Sequence, residues 1–274
     1  MNITRRSALG LGVVALGRPS LSPTSRIRVR QRVVWSGRGK LKLACGALIT
    51  KAPGGDLLCA WLSGADQEPA SDNCMLLARS KDNGRTWSEP TQWISPENGM
   101  AALATALYST PHGRMVAFGA HWPSEKGYTE LYFFRIESGD AGRTWSKREP
   151  IVVHGNHAIL HHPIRLANGE MLFPTSIFDR RPKPLIGPVE RLAFAANEEE
   201  ALAIPAAPGE RSGGKFSHYL HGCASFISSD AGATRLVEHG RISNRPLGLL
   251  EPYCIQLREG RVAMLMRAEW GGFL

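Results

Sequence analysis

Hydrophobic positions in residues 43–274 gather into short runs, and the polar stretches between them carry glycine, asparagine and proline. Runs at 43–50, 57–62 and 75–78 are followed by a second set at 103–108, 115–120 and 131–136. A third set covers 163–166, 170–174 and 223–227, and a fourth opens with 253–257 and 262–266. Short apolar segments punctuated by turn residues every 8–15 positions predict strands, and so an all-β chain.

The sets share two landmarks. A tight turn leads into an apolar strand at Gly55, Gly113, Gly169 and Gly260. Downstream, the pattern Ser-x-Asp-x-Gly-x-Thr-Trp occurs at Ser80–Trp87 and Ser138–Trp145, and a third copy at Ser228–Thr234 is followed by Arg235 instead of Trp. Aspartate can bond backbone N–H groups two residues on and glycine allows positive φ, so the pattern reads as a β-turn joining two strands. Turn glycine and motif aspartate lie 27 residues apart in the first two sets (Gly55 to Asp82, Gly113 to Asp140) and 61 apart in the third (Gly169 to Asp230). The excess reads as an insertion over about 182–214; Glu198–Glu200 within it is either a short helix or a solvated loop. A repeat of about 57 residues with three or four strands predicts a blade of a β-propeller. The fourth turn motif would fall beyond Leu274, so the expected content is about three and a half blades.

Composition narrows the function classes. The chain has 274 residues with 43% apolar and 21% charged, a globular balance, and its 29 Gly and 18 Pro suit a turn-rich protein. No apolar run reaches the roughly 18 residues of a membrane-spanning helix. The formal net charge of +9 is local: residues 1–42 hold ten basic and no acidic side chains, and the remainder sums to −1. A broad nucleic-acid face is therefore not expected. Arg5-Arg6 before a short Gly-rich apolar stretch resembles a twin-arginine export signal. Residues 1–17 are read as that signal, 18–42 as a basic flexible spacer and 43–274 as the partial propeller. Export to the periplasm or beyond is the corresponding localisation. The five cysteines include no Cys-x-x-Cys pair and read as small buried hydrophobes.

The repeated turn is the Asp-box, and three copies at blade spacing resemble the sialidase (neuraminidase) superfamily, whose propeller has six blades. The likeness covers about residues 43–274. It implies that Asp82, Asp140 and Asp230 are structural. The stretch Glu251–Arg267 is similar to the sialidase segment in which a glutamate opens one strand and an arginine ends the next. Two antiparallel strands joined at Gly260 bring these ends together. By resemblance, Glu251 takes the proton of a tyrosine nucleophile in a retaining glycoside hydrolysis, and Arg267 grips a substrate carboxylate. Asp66, with Glu68 second, corresponds to the acid/base catalyst. The likeness implies no cofactor and no metal, and a glycan bearing a terminal acidic sugar as partner. Ala44 stands where the family carries its first arginine. The family's third arginine and tyrosine would fall beyond Leu274.

Histidines supply a competing reading. His157 and His161 have a metal-ligand spacing, but Gly155, Asn156 and Pro163 argue for a loop. His162 and His121 are expected near the propeller axis, where histidine could serve as base for a lyase acting on uronates. A non-catalytic glycan-binding propeller is the other alternative, favoured by Ala44. No phosphate-binding glycine loop or Gly-x-Ser-x-Gly element occurs in a strand-helix context.

Overall fold

A computed structural model describes residues 31–68, 70–123, 131–151, 158–179, 220–229, 235–243, 249–268 and 272–273. The export-signal segment, the body of the 182–214 insertion and the third Asp-box turn lie outside these residues. Among the described residues the architecture is all-β and forms four antiparallel sheets.

Sheet 1 contains β1 (Cys45–Lys51), β2 (Leu57–Ser63), β3 (Cys74–Ser80) and β4 (Thr91–Ile94) in that order. Sheet 2 repeats the meander with β5 (Ala101–Ser109), β6 (Met115–Trp122), β7 (Tyr132–Ser138) and β8 (Glu149–Pro150). Sheet 3 contains β9 (Ala158–Leu160), β10 (Ile164–Arg165), β11 (Met171–Asp179), β12 (Leu220–Ser228) and β13 (Val237–Ser243), with β9 and β10 both pairing β11. Sheet 4 contains β14 (Leu249–Gln256), β15 (Val262–Ala268) and β16 (Gly272–Phe273). First strands of neighbouring sheets meet, β1 against β5 and β5 against β9, and β14 packs on β11. This is a propeller-like succession of blades.

Burial explains the strand types. All eight residues of β6 are buried, as are six of seven in β2, because neighbouring sheets cover both faces. Such strands read as unbroken apolar runs. One core cluster passes through all four sheets, from Leu48 and Leu58 through Leu107 and Phe118 to Phe173 and Leu250. Phe118 and Phe173 meet edge to face across sheets 2 and 3, centroids 5.6 Å apart.

Two observations differ from the sequence expectations. The first strand of sheet 3 is not one run at 163–166; it is split into β9 and β10 by His161–Pro163, one residue more than the facing strand supplies. Pro163 has no N–H for the ladder, which favours the break. Within the expected flexible spacer, Val34, Trp35 and Leu41 instead pack on the Cys59, Trp61 and Leu76 cluster of sheet 1. Trp35 lies 6.4 Å from Trp61, and Arg38 stacks over Trp35.

The Asp-boxes bond internally as their sequence implies. Ser80 Oγ donates to Asp82 Oδ1 at 2.8 Å and accepts from Gly84 N at 2.8 Å. Thr86 donates through N and Oγ1 to the Asp82 carboxylate at 2.9 and 2.7 Å. Asp140 repeats the arrangement with Ser138 and Thr144. Gly142 has φ +79°, and a Cβ there would come within 2.7 Å of Leu58 Cδ1, so the second turn presses on sheet 1. Arg79 of β3 ties them by donating to the Ala141 carbonyl at 2.8 Å and to Asp56 at 2.9 Å.

Candidate functional site

Strand register divides every sheet into two ends. The Asp-box turns of sheets 1 and 2 follow Ser80 and Ser138, which pair with Leu57 and Met115 at the starts of the second strands. At the other end Ser63 pairs with Cys74, Asp179 with Leu220, and Leu250 with Arg267. The loop carrying Asp66 and Glu68, the strand ends flanking the insertion, and Glu251 and Arg267 therefore share one end, here called the mouth.

Each first strand bulges. Register slips by one residue between Cys45 and Leu48, between Ala104 and Ala106, and between Leu250 and Tyr253. Sheet 3 gains its extra residue at His161–Pro163. A bulge re-aims the side chain it contains. In β14 the bulged pair is Glu251–Pro252, opposite Met266, and Glu251 has φ +49°.

The Arg267 guanidinium donates to Glu251 Oε1 at 2.8 Å, as the hairpin predicts. Both side chains are about half exposed, so the pair adds at most about 1 kcal/mol to stability. The backbone N–H of Glu251 leaves its ladder and donates to Ser176 Oγ of β11 at 2.9 Å. Ser176 is 1% exposed, and its hydroxyl also meets His161 Nε2 at 2.8 Å. Burial lowers the pKa of His161 to about 4 and also lowers that of His162.

Glu68, on the loop after β2, lies within electrostatic range of this pair. Its pKa is raised, first by loss of hydration and then by the Glu251 carboxylate, while Cys45 and Arg267 pull it down. Glu68 keeps an open face to solvent, yet protein surrounds the carboxyl closely enough for desolvation to dominate. Cys45 Sγ donates to Glu68 Oε2 at 3.2 Å. Burial and the neighbouring carboxylate push the Cys45 thiol up to about 12, so it stays a donor. Ala44, exposed at the same end, brings no charge.

The other expected residues are placed differently. Asp66 is exposed on the loop; Asp72, not Asp66, accepts the N–H of Ala65, at 2.8 Å. His121 is at the mouth end of β6, but its ring lies 5.1 Å from Phe134, and its Nε2 is 3.2 Å from the Ser95 carbonyl and 3.4 Å from Arg148. That puts it between the outer parts of sheets 1 and 2. His162 sits in the β9–β10 break, beside the residue that meets Ser176. Sequence reasoning missed Cys45, Ser176 and His161 as members of the site. It ranked Asp66 over Glu68 by distance to the Asp-box, a spacing that says nothing of where two acids in one aperiodic loop point.

Residues 55–273 match the BNR repeat-like domain family. The chain belongs to that family. No curated protein matches it in sequence. Its fold is similar to a protein of unknown function from Dyadobacter fermentans DSM 18053, at TM-score 0.58 and 14% identity, covering 84% of this chain and 64% of that one. The Hadza microbial sialidase Hz136 follows at TM-score 0.56 and 13% identity, with 84% and 43% covered. The NanB sialidase from Streptococcus pneumoniae gives TM-score 0.58 at 10% identity, with 88% and 51% covered. The BNR chain thus spans between 43% and 64% of the length of these structures, and at such identities the likeness is one of fold.

Proposed function

We propose that this BNR-repeat chain carries a glycoside hydrolase site in which Glu68 and Glu251 form the working carboxyl pair and Arg267 binds an anionic group. The observation that carries the reading is the hydrogen-bonded Glu251–Arg267 pair of sheet 4, whose two charges both act on the Glu68 carboxyl of the loop from sheet 1. Two carboxyl groups flanking a glycosidic bond supply an acid and a base. Glu68, its pKa raised, holds a proton to higher pH than an ordinary glutamate and gives it to the departing glycosidic oxygen as the C–O bond breaks. Glu251 takes the proton of the attacking hydroxyl, which by family resemblance belongs to a tyrosine. Arg267, anchored by Glu251, keeps further N–H donors for a substrate carboxylate. An acidic terminal sugar on a glycan is accordingly the proposed substrate, and no cofactor enters the scheme. Glu68 replaces Asp66 in the acid role because Glu68 is the one coupled to the pair.

The test is hydrolysis of 4-methylumbelliferyl glycosides of sialic acid, glucuronic acid and arabinofuranose by wild type, Glu68→Gln and Glu251→Gln. The expected result is release from an acidic glycoside by wild type and loss in both variants. Release that is equal in all three proteins, or confined to the arabinofuranoside, overturns the assignment or its substrate class respectively. Binding of sialylated glycans without turnover, unchanged by Glu251→Gln, favours a non-catalytic lectin-like role, and an unsaturated uronate product favours a lyase. Export by the twin-arginine route is part of the same proposal. Arg5→Lys with Arg6→Lys should retain the protein in the cytoplasm on cell fractionation.

A further inference from the structure

Glu251 is an unusual place to put a carboxylate that must be aimed. It lies in a bulge, has φ +49° and precedes Pro252, whose ring restricts the residue before it. The Glu251 N–H takes no part in the β14–β15 ladder and points out of the sheet. A relaxed, regular ladder would shift the register by one residue and turn the side chain to the other face. What holds the bulge comes from the neighbouring sheet. Ser176 Oγ accepts the Glu251 N–H at 2.9 Å, and the same oxygen lies 2.8 Å from His161 Nε2.

Proton accounting orders this chain. A serine hydroxyl has one hydrogen to give and two lone pairs to accept with. Having accepted from Glu251, Ser176 can give its hydrogen to His161 Nε2 only if that nitrogen is bare. A neutral imidazole with its proton on Nδ1 meets the requirement, and burial of His161 favours the neutral ring. The extra residue at His161–Pro163 leaves His161 beside β11, where its main-chain N–H donates to the Pro174 carbonyl at 2.8 Å. The bulge of sheet 3 thus supports the bulge of sheet 4.

We infer that His161 and Ser176 are positioning residues that hold the backbone of Glu251 in its bulged conformation and so aim its carboxylate at Arg267. Neither touches the reacting atoms; both act through Glu251. The inference rests on the role proposed for Glu251, and its test separates the two. In the full chain, nitrogen-15 NMR of histidine should show His161 neutral and in the Nδ1–H tautomer in wild type, and should show that preference lost in Ser176→Ala. This readout needs no substrate. With whichever methylumbelliferyl glycoside wild type hydrolyses, Ser176→Ala should lower kcat at least tenfold while KM moves less than about threefold. His161→Gln, whose amide oxygen can still accept from Ser176, should recover most of the rate, and His161→Phe should not. His161→Gln also serves if Ser176→Ala does not fold. An Nε2–H tautomer in wild type overturns the inference, as does a full kcat in folded Ser176→Ala. If Glu251→Gln is as active as wild type, the catalytic role of Glu251 falls, while the tautomer still decides whether the His161–Ser176–Glu251 chain exists.

Discussion

Asp82 and Asp140 at the turn end of the sheets, and Glu68 at the mouth, carry the same functional group in opposite settings. Each turn aspartate accepts hydrogen bonds from the serine and threonine of its own motif, and these bonds hold the carboxyl of Asp82 down to about 2 and lower that of Asp140 further. The donors favour the charged form and leave it nothing to do but brace a loop. Glu68 is raised instead, by lost hydration and by the Glu251 carboxylate nearby. A carboxyl held above its ordinary value can keep and deliver a proton. The contrast teaches that the most repeated acids in this chain are its least chemical ones, and that the acids suited to chemistry occur once.

Substitutions at the two ends should separate rate from stability. The largest expected effect is on turnover: Glu68→Gln and Glu251→Gln should each lower kcat by roughly a hundredfold or more, with melting temperatures within a degree or two of wild type. A comparable loss of rate in Asp140→Ala, measured per folded molecule, would erase the distinction. Asp140→Ala should instead lower the melting temperature clearly and leave the rate per folded molecule intact, as scanning calorimetry beside initial-rate assays can show.

Acid should sharpen the comparison next. The folded pKa of Asp82 lies below its unfolded value, so its contribution is complete above about pH 4 and is lost as pH falls towards about 2. His161 acts in the same direction at milder acidity: neutral when buried, it withholds a proton that the unfolded chain binds below about pH 6.5, so stability falls as pH drops towards about 4. Asp82→Asn should flatten the lower part of an acid-unfolding curve followed by tryptophan fluorescence, and His161→Gln the upper part. An Asp82→Asn curve that overlays wild type below pH 4 would show that the turn carboxylate is not coupled to folding.

The smallest effect is expected at Arg79, which joins sheet 1 to the second Asp-box through the Ala141 carbonyl and Asp56. Arg79→Met should cost about 1–2 kcal/mol in urea unfolding without changing kcat. A change in kcat would mean that the turn end communicates with the mouth.

Much of this contrast was legible before any coordinates. The Ser-x-Asp-x-Gly-x-Thr-Trp turn is readable because all its bonds close within eight residues. The pairing of Glu251 with Arg267 is readable because a single hairpin at Gly260 brings the two together. The split of the third first strand was half visible in Pro163. What stayed hidden has one character. Glu68 differs from Asp66 only in where an irregular loop points it. Cys45 looked like a small hydrophobe until a carboxylate from the β2–β3 loop met its thiol. Ser176 sits in a buried strand, and nothing in its neighbours along the chain foretells that it holds the backbone of another sheet.

The amino-acid order alone thus settled the strands, the repeat, the bracing turns and one ion pair, since each depends on forces that act between residues close in sequence or joined by one turn. Only the tertiary structure chose which loop carboxyl feels the charges of Glu251 and Arg267, and revealed the histidine and serine behind Glu251. Those choices depend on hydration lost and hydrogen bonds gained where sheets distant in sequence come into contact, and no local pattern records them.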